Sequence, residues 1–209
     1  MKSSKIHVRT IAVAGILSAA AFVLQLIEIP VPFMPTFIKF DFSDLPALLG
    51  AFALGPVYGV IIELIKNLLH CLFSMSFGVG EISNFVLGAI FTGTAGLVYK
   101  FNKTRKQAII ASAIGALAMA VLSLPSNYYI VYPVYYNFMP EETILGAYQA
   151  IIPSMKSVLQ CLICFNMPFT FLKGALDVVI TMFIYKPLSP VLKGRKKAAA
   201  PTAEQASEG

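Results

Sequence analysis

The groups in this sequence that could do chemistry concentrate in one stretch, Ile38 to His70. Lys39, Asp41 and Asp44 fall within six residues of one another. Glu63, Lys66, Asn67 and His70 then recur at i, i+3, i+4 and i+7, which places all four on one helix face. The residues around them are apolar. Acid, base and amide groups on one stripe of an apolar helix are costly in lipid, so they face a bundle interior or a water-filled cavity, often on a substrate path. Further polar groups follow in other apolar stretches: Glu81 and Asn84, Asn127, Asn166, and the pair Lys173 and Asp177 at i, i+4. That pair reads most simply as a mutually neutralising couple, or else Lys173 faces a ligand. Asn127 is followed by five tyrosines in nine residues (128–136). These read as an aromatic belt at the headgroups or as a wall for a planar ligand, with Asn127 supplying hydrogen bonds.

None of these patterns is catalytic. His7 and His70 are far apart in the chain, and no nucleophile is paired with a base. There is no GxxxxGK[ST] phosphate loop, so the chain does not hydrolyse ATP by that mechanism. Cys161 and Cys164 form a CxxC, but no His or further Cys accompanies it, and packing is the reading weighed against a metal site. The expectation is a non-enzyme with no catalytic residue, no metal and no covalently bound cofactor.

The elements that must position these groups follow from composition. Of 209 residues, 57% are hydrophobic and only 12% charged, against roughly a quarter charged in soluble domains. The mean hydropathy is +0.77. A span takes roughly 20 apolar residues, so six spans and their loops use the chain up and leave no room for a soluble catalytic domain. The net charge of +6 does not indicate nucleic acid, because the basic residues flank the apolar runs and act as orientation signals.

The expected fold is all-α, a single polytopic membrane domain over 1–190 followed by a basic, then polar, disordered cytoplasmic tail over 191–209. Thr10 to Ile27 is the first helix, carrying Gly15-x3-Ala19 and Ala14-x3-Ser18. These small-residue pairs suit either packing within the bundle or docking of a partner. Pro30, Pro32 and Pro35 then exclude helix and make an ordered outer loop. The basic clusters at the N-terminus, at 100–106 and at 193–197 should all be cytoplasmic. An even number of spans must separate each from the next, so Leu45 to Phe73 divides at Gly55-Pro56 into two helices, the first a short one over Asp44 to Leu54. The fourth helix is expected over Ile82 to Tyr99 and the fifth over Ala108 to Leu124. Thr143 to Phe165, interrupted by Pro153 and Lys156, reads as a re-entrant or interfacial segment, and the sixth helix as Asn166 to Pro187. The result is a multi-pass protein of the cell membrane with both termini cytoplasmic.

In that topology the loops at 28–43, 74–81 and 125–165 lie outside. Lys39, Asp41, Glu81, Asn84, Asn127, Asn166 and Lys173 then meet at one depth near the outer surface. Amides, hydroxyls and aromatic rings at one depth suit a neutral, flat, heteroaromatic ligand bearing hydroxyls.

The block FIKFDFSDLPALLGAFALGPVYGVIIELIKNLLH resembles the second and third helices of the riboflavin-specific substrate-capture subunits of energy-coupling factor (ECF) vitamin transporters. GEISNFVLG (Gly80 to Gly88), the Pro125-Ser126-Asn127-Tyr128 turn and NMPFTFLKG (Asn166 to Gly174) are similar to the family's fourth-, fifth- and sixth-helix signatures. The resemblance implies a six-helix subunit that binds riboflavin from outside and has no ATPase of its own. ATP is used only by partner subunits, two cytosolic ATPases that act with a membrane coupling protein (the T component). It implies ligand contacts at Lys39, Asp41, Gly88, Asn127, Thr170 and Lys173, with Thr170 standing where the family usually has Asn; Asn84, Tyr128 and Asn166 join them as candidate ligand-binding residues. The family's AxxxA docking motif falls on Gly15 and Ala19.

Overall fold

The computed structural model describes the backbone of residues 3–74 and 76–192, with side chains from 8 to 184. The expected tail lies, from residue 193 on, outside the described residues. The elements in order are α1 (Ser3–Gln25), β1 (Ile29–Pro30), β2 (Lys39–Phe40), α2 (Asp44–Leu54), α3 (Pro56–His70), α4 (Val79–Phe101), α5 (Arg105–Ser126), α6 (Tyr132–Tyr135), α7 (Glu141–Gln149), α8 (Val158–Cys161) and α9 (Met167–Leu192). Among the described residues, five stretches are long and apolar enough to cross a membrane: Val8–Gln25, Pro56–Phe73, Val79–Phe101, Arg105–Tyr135 and Val158–Ile184.

Centrally, α5 packs between α4 and α9, α3 packs on α4, and α1 and α2 pack on α3. Small residues allow this. Ala14, Ser18, Ala21 and Gln25 form the buried stripe of α1. One core cluster joins Leu48, Phe52, Phe91, Tyr99 and Met119 between α2, α4 and α5. A second joins Val131, Tyr132, Tyr148, Leu162 and Phe165 among α6, α7 and the residues at 131 and 162–165 that flank α6 and α9.

The division at Gly55-Pro56 is present. Gly55 has φ +112°, a conformation side chains rarely adopt, and Pro56 opens the next helix, where its missing N–H costs nothing. The two helices fold back on each other: a Cβ at Gly59 would lie 2.6 Å from the Cβ of Ala51.

Two expectations are corrected. The region after Leu124 is not a loop, because α5 continues through a π turn, Asn127–Val131, into α6. Likewise 158–165 belongs to the last helix: α8 continues through a second π turn, Leu162–Asn166, into α9. Of the segment expected to be re-entrant, α7 and the irregular 150–157 connect α6 to α8. The prolines explain both turns. A proline ring clashes with the carbonyl four residues earlier, which for Pro133 is Tyr129 and for Pro168 is Cys164. Each lies in the middle of a π turn, whose wider spacing relieves the clash.

Candidate ligand cavity and the charge network beneath it

The loop over 31–38 is clasped at its base by β1 and β2, which pair Ile29 with Phe40 and Pro30 with Lys39. The chain then enters the bundle, where Phe40, Asp41, Ser43 and Asp44 are all buried. Asp44 lies between two lysines. Its Oδ1 accepts from Lys66 Nζ at 2.5 Å and its Oδ2 is 3.0 Å from Lys173 Nζ. Lys66 also meets Glu63 Oε2 at 2.8 Å and donates to Ser43 Oγ at 2.6 Å. Lys173 also donates to Asp41 Oδ2 at 3.3 Å. The loop is thereby tied to α3 and α9 together.

The expected Lys173–Asp177 couple does not form. Lys173 turns to Asp41 and Asp44, which lie on its other side, and both Asp177 oxygens are buried without a hydrogen-bond partner among the described residues. Sequence spacing could pair only residues on one helix. It could not show that a loop would deliver two carboxylates to α9.

An amide chain extends the network across the bundle. Gln25 Nε2 donates to Asn67 Oδ1 at 3.0 Å, and Asn67 Nδ2 donates to the Glu63 carbonyl at 2.8 Å. On α4, Asn84 Nδ2 reaches Asp41 Oδ2 at 3.5 Å. Gly88 makes room for this arrangement. A Cβ there would lie 2.3 Å from Glu63 Oε2, so any side chain would displace the carboxylate.

Over the network lies a cavity of about 750 Å³, its mouth included. Of the residues expected at the site, Lys39, Asn84, Gly88, Asn127, Asn166, Thr170 and Lys173 all line it. Asp41 does not, and accepts instead from Lys173. Tyr128 is not brought there either. It is 40% exposed and borders a separate outer groove with Tyr129 and Tyr136. Its neighbour Asn127 is buried, and consecutive helical residues point to different sides. The cavity's aromatic walls are instead Phe37, Tyr132, Tyr135 and Phe169.

Two of the three asparagines that line the cavity, Asn127 and Asn166, sit on the two π turns. Asn127 Oδ1 accepts from Ser83 Oγ at 3.1 Å. Asn166 Oδ1 accepts from Tyr148 O–H at 2.7 Å, and the Tyr148 and Tyr132 hydroxyls are 2.6 Å apart. Burial, and then Tyr132, push the Tyr148 phenol far above its ordinary range, so it remains a donor at every working pH. Both carbonyl oxygens are thus engaged within the protein. Cys161 is buried, Cys164 is exposed and both are free thiols, and no group of metal-ligating residues occurs among the described residues.

The family model for the substrate-specific component of ECF transporters matches residues 9–185. The chain belongs to that family. This S component is 36% identical over 179 residues to the riboflavin transporter RibU of Staphylococcus aureus, covering 86% of this chain and 89% of that one. It is 28% identical over 194 residues to the riboflavin transporter FmnP of Bacillus subtilis, covering 91% and 97%. A solved structure of the S component of a bacterial ECF transporter superposes with a TM-score of 0.70 at 34% identity, covering 90% of this chain and 99% of that one. The S component is thus a multi-pass membrane transport protein and not an enzyme.

The charge network makes a direct prediction. Lys66→Met leaves Asp44 and Glu63 without the cation between them and should cost about 3–5 kcal/mol of folding stability. Adding Glu63→Gln removes one uncompensated carboxylate and should recover part of the loss. Thermal unfolding in detergent measures this, and equal losses for the single and double variants would contradict the pairing.

Proposed function

We propose that this S component captures riboflavin at the outer face of the cell membrane for an ECF-type, ATP-driven importer. One observation carries the reading: two asparagine Nδ2 donors and a lysine ammonium converge on a cavity walled by aromatic rings. The isoalloxazine ring is flat and presents carbonyl oxygens and imine nitrogens along one edge. Aromatic walls take its faces and donors take that edge. The names of the S. aureus and B. subtilis relatives support the same ligand.

The contacts proposed are Lys39, Asn84, Gly88, Asn127, Asn166, Thr170 and Lys173. Asp41 and Asp44 hold Lys173 in place, and Thr170 offers a hydroxyl where the family usually has an amide. The antiparallel pair of α2 and α3 gives six crossings with both termini cytoplasmic. An eleven-residue helix rises only about 16 Å. It suffices for a crossing because residues 40–43, of which Phe40, Asp41 and Ser43 are buried, cover the remaining depth.

Release inside requires the membrane coupling protein and two ATPases. The docking face proposed is Gly15 and Ala19 on α1. Both are exposed, whereas the parallel pair Ala14 and Ser18 is buried against the bundle. The two small-residue stripes therefore divide the alternatives between them.

Asn127→Ala should weaken riboflavin binding by about 1–3 kcal/mol, read by quenching of flavin fluorescence, with the folded protein retained on size exclusion. Unchanged affinity removes Asn127 from the site. A Cβ at Gly15 meets nothing within 4 Å, so Gly15→Leu fits the free subunit. It should bind riboflavin normally and fail to co-purify with the coupling protein. Retained assembly places docking elsewhere.

A further inference from the structure

At the end of the bundle away from the ligand cavity, a further cavity of about 760 Å³, its mouth included, opens between the α2–α3 turn and the end of α4. Residues 51–58 line one side, and Gly96, Tyr99, Lys100 and Lys103 line the other. The two sides approach closely beneath it, for a Cβ at Gly96 would lie 2.8 Å from Pro56 Cα. The buried rings of Phe52 and Tyr99 pack there with centroids 4.4 Å apart. None of these residues lines the ligand cavity.

The charge at this cavity is all of one sign. Lys100 and Lys103 are both exposed. The ion pairs among the described residues use Lys39, Lys66, His70 and Lys173, so neither of these two lysines has an acidic partner there. The sequence offers them none nearby, because 82–140 contains no Asp or Glu. On the α2–α3 side the flanking acids, Asp44 and Glu63, are buried and already paired with Lys66. The first turn of α3 also lines the cavity, so the positive end of that helix adds to the two ammonium groups.

We propose that this cavity holds the phosphodiester head of an anionic phospholipid, gripped by Lys100 and Lys103, with the acyl chains lying over the apolar surface beside it. That surface is present. Val57 at the cavity and Leu97 and Phe101 on α4 are all exposed, and Leu97 and Phe101 stand four residues apart on one helix face. A soluble anion would gain the two ammonium groups and nothing from these side chains, whereas a lipid uses both. Lysine suits the task, since its apolar stem can lie along the helix while its ammonium reaches the depth of the phosphates. In the orientation proposed above, this end meets the cytoplasmic leaflet, where anionic lipids are drawn to basic pockets between helices.

The test is a lipid titration of the delipidated, detergent-purified subunit, with bound lipid counted by native mass spectrometry. Phosphatidylglycerol is compared with phosphatidylcholine of the same acyl chains, and inorganic phosphate is added as a competitor. The wild-type subunit should take up one phosphatidylglycerol about tenfold more tightly than phosphatidylcholine. Lys100→Gln and Lys103→Gln should each weaken that binding about three- to fivefold, and together about tenfold or more. Both positions are exposed and outside the ligand cavity, so riboflavin quenching should be unchanged and reports that each variant is folded. The single variants serve if the double variant does not fold. Lys106→Gln, an exposed lysine that does not line the cavity, should stay within about twofold of wild type. Equal binding of the two lipids, or equal weakening by Lys106→Gln, overturns the site. Displacement of the lipid by equimolar inorganic phosphate reveals a soluble-anion site and overturns the lipid assignment.

Discussion

The structure depends on neutralising a set of charges where lipid and apolar side chains offer no solvation. Asp44 does most of this, with one carboxylate oxygen on Lys66 and the other on Lys173. An isolated buried charge costs several kcal/mol even after relaxation, and Asp44 shares that compensation with Glu63 on Lys66 and with Asp41 on Lys173. Asp44 is the first residue of α2 and stands at the end of the outer loop. The same ion pairs that make the interior tolerable therefore fix the loop to α3 and α9. A cavity roofed by that loop and floored by Lys173 inherits its shape from the charge network.

The second constraint is backbone geometry in the two long helices that face the cavity. Both carry a proline whose clash is relieved by a π turn, and both turns carry an asparagine that lines the cavity. A π turn leaves the local hydrogen-bond ladder irregular and re-aims the side chains on it. Asn127 and Asn166 are held through their carbonyl oxygens by Ser83 and Tyr148. The substituted position, Thr170, lies one turn beyond Asn166 in the same cavity, so the missing amide has a donor close by.

Much of this was legible in the sequence, for identifiable reasons. Gly55-Pro56 marked the break between α2 and α3 because glycine and proline act locally. The polar stripe of α3 was legible because lipid penalises it wherever it does not face inward. Most of the cavity residues could be named because polar groups are rare in such a chain, and those at one depth tend to meet. Partnerships across the fold were not legible. Lys173 looked bound to Asp177 by spacing, and only the entry of the loop into the bundle redirects it. Tyr128 looked like a partner of Asn127, yet the helix that carries both turns them to different sides. The continuations of α5 and α8 through π turns were masked by the same prolines that cause them, since proline usually signals the end of a helix. Gln25 went unremarked among apolar residues, although a lone buried amide near the end of a membrane helix is itself a signal.

The charge network, the two π turns and the clasped loop together form a cavity suited to a flat ring with an acceptor edge. The most direct measurement of that claim is a titration of the detergent-purified wild-type subunit with riboflavin, followed by visible absorption and flavin fluorescence. The account predicts quenching that saturates at an equimolar ratio, with a perturbed flavin absorption band. A folded, colourless protein that leaves riboflavin fluorescence unchanged would contradict it.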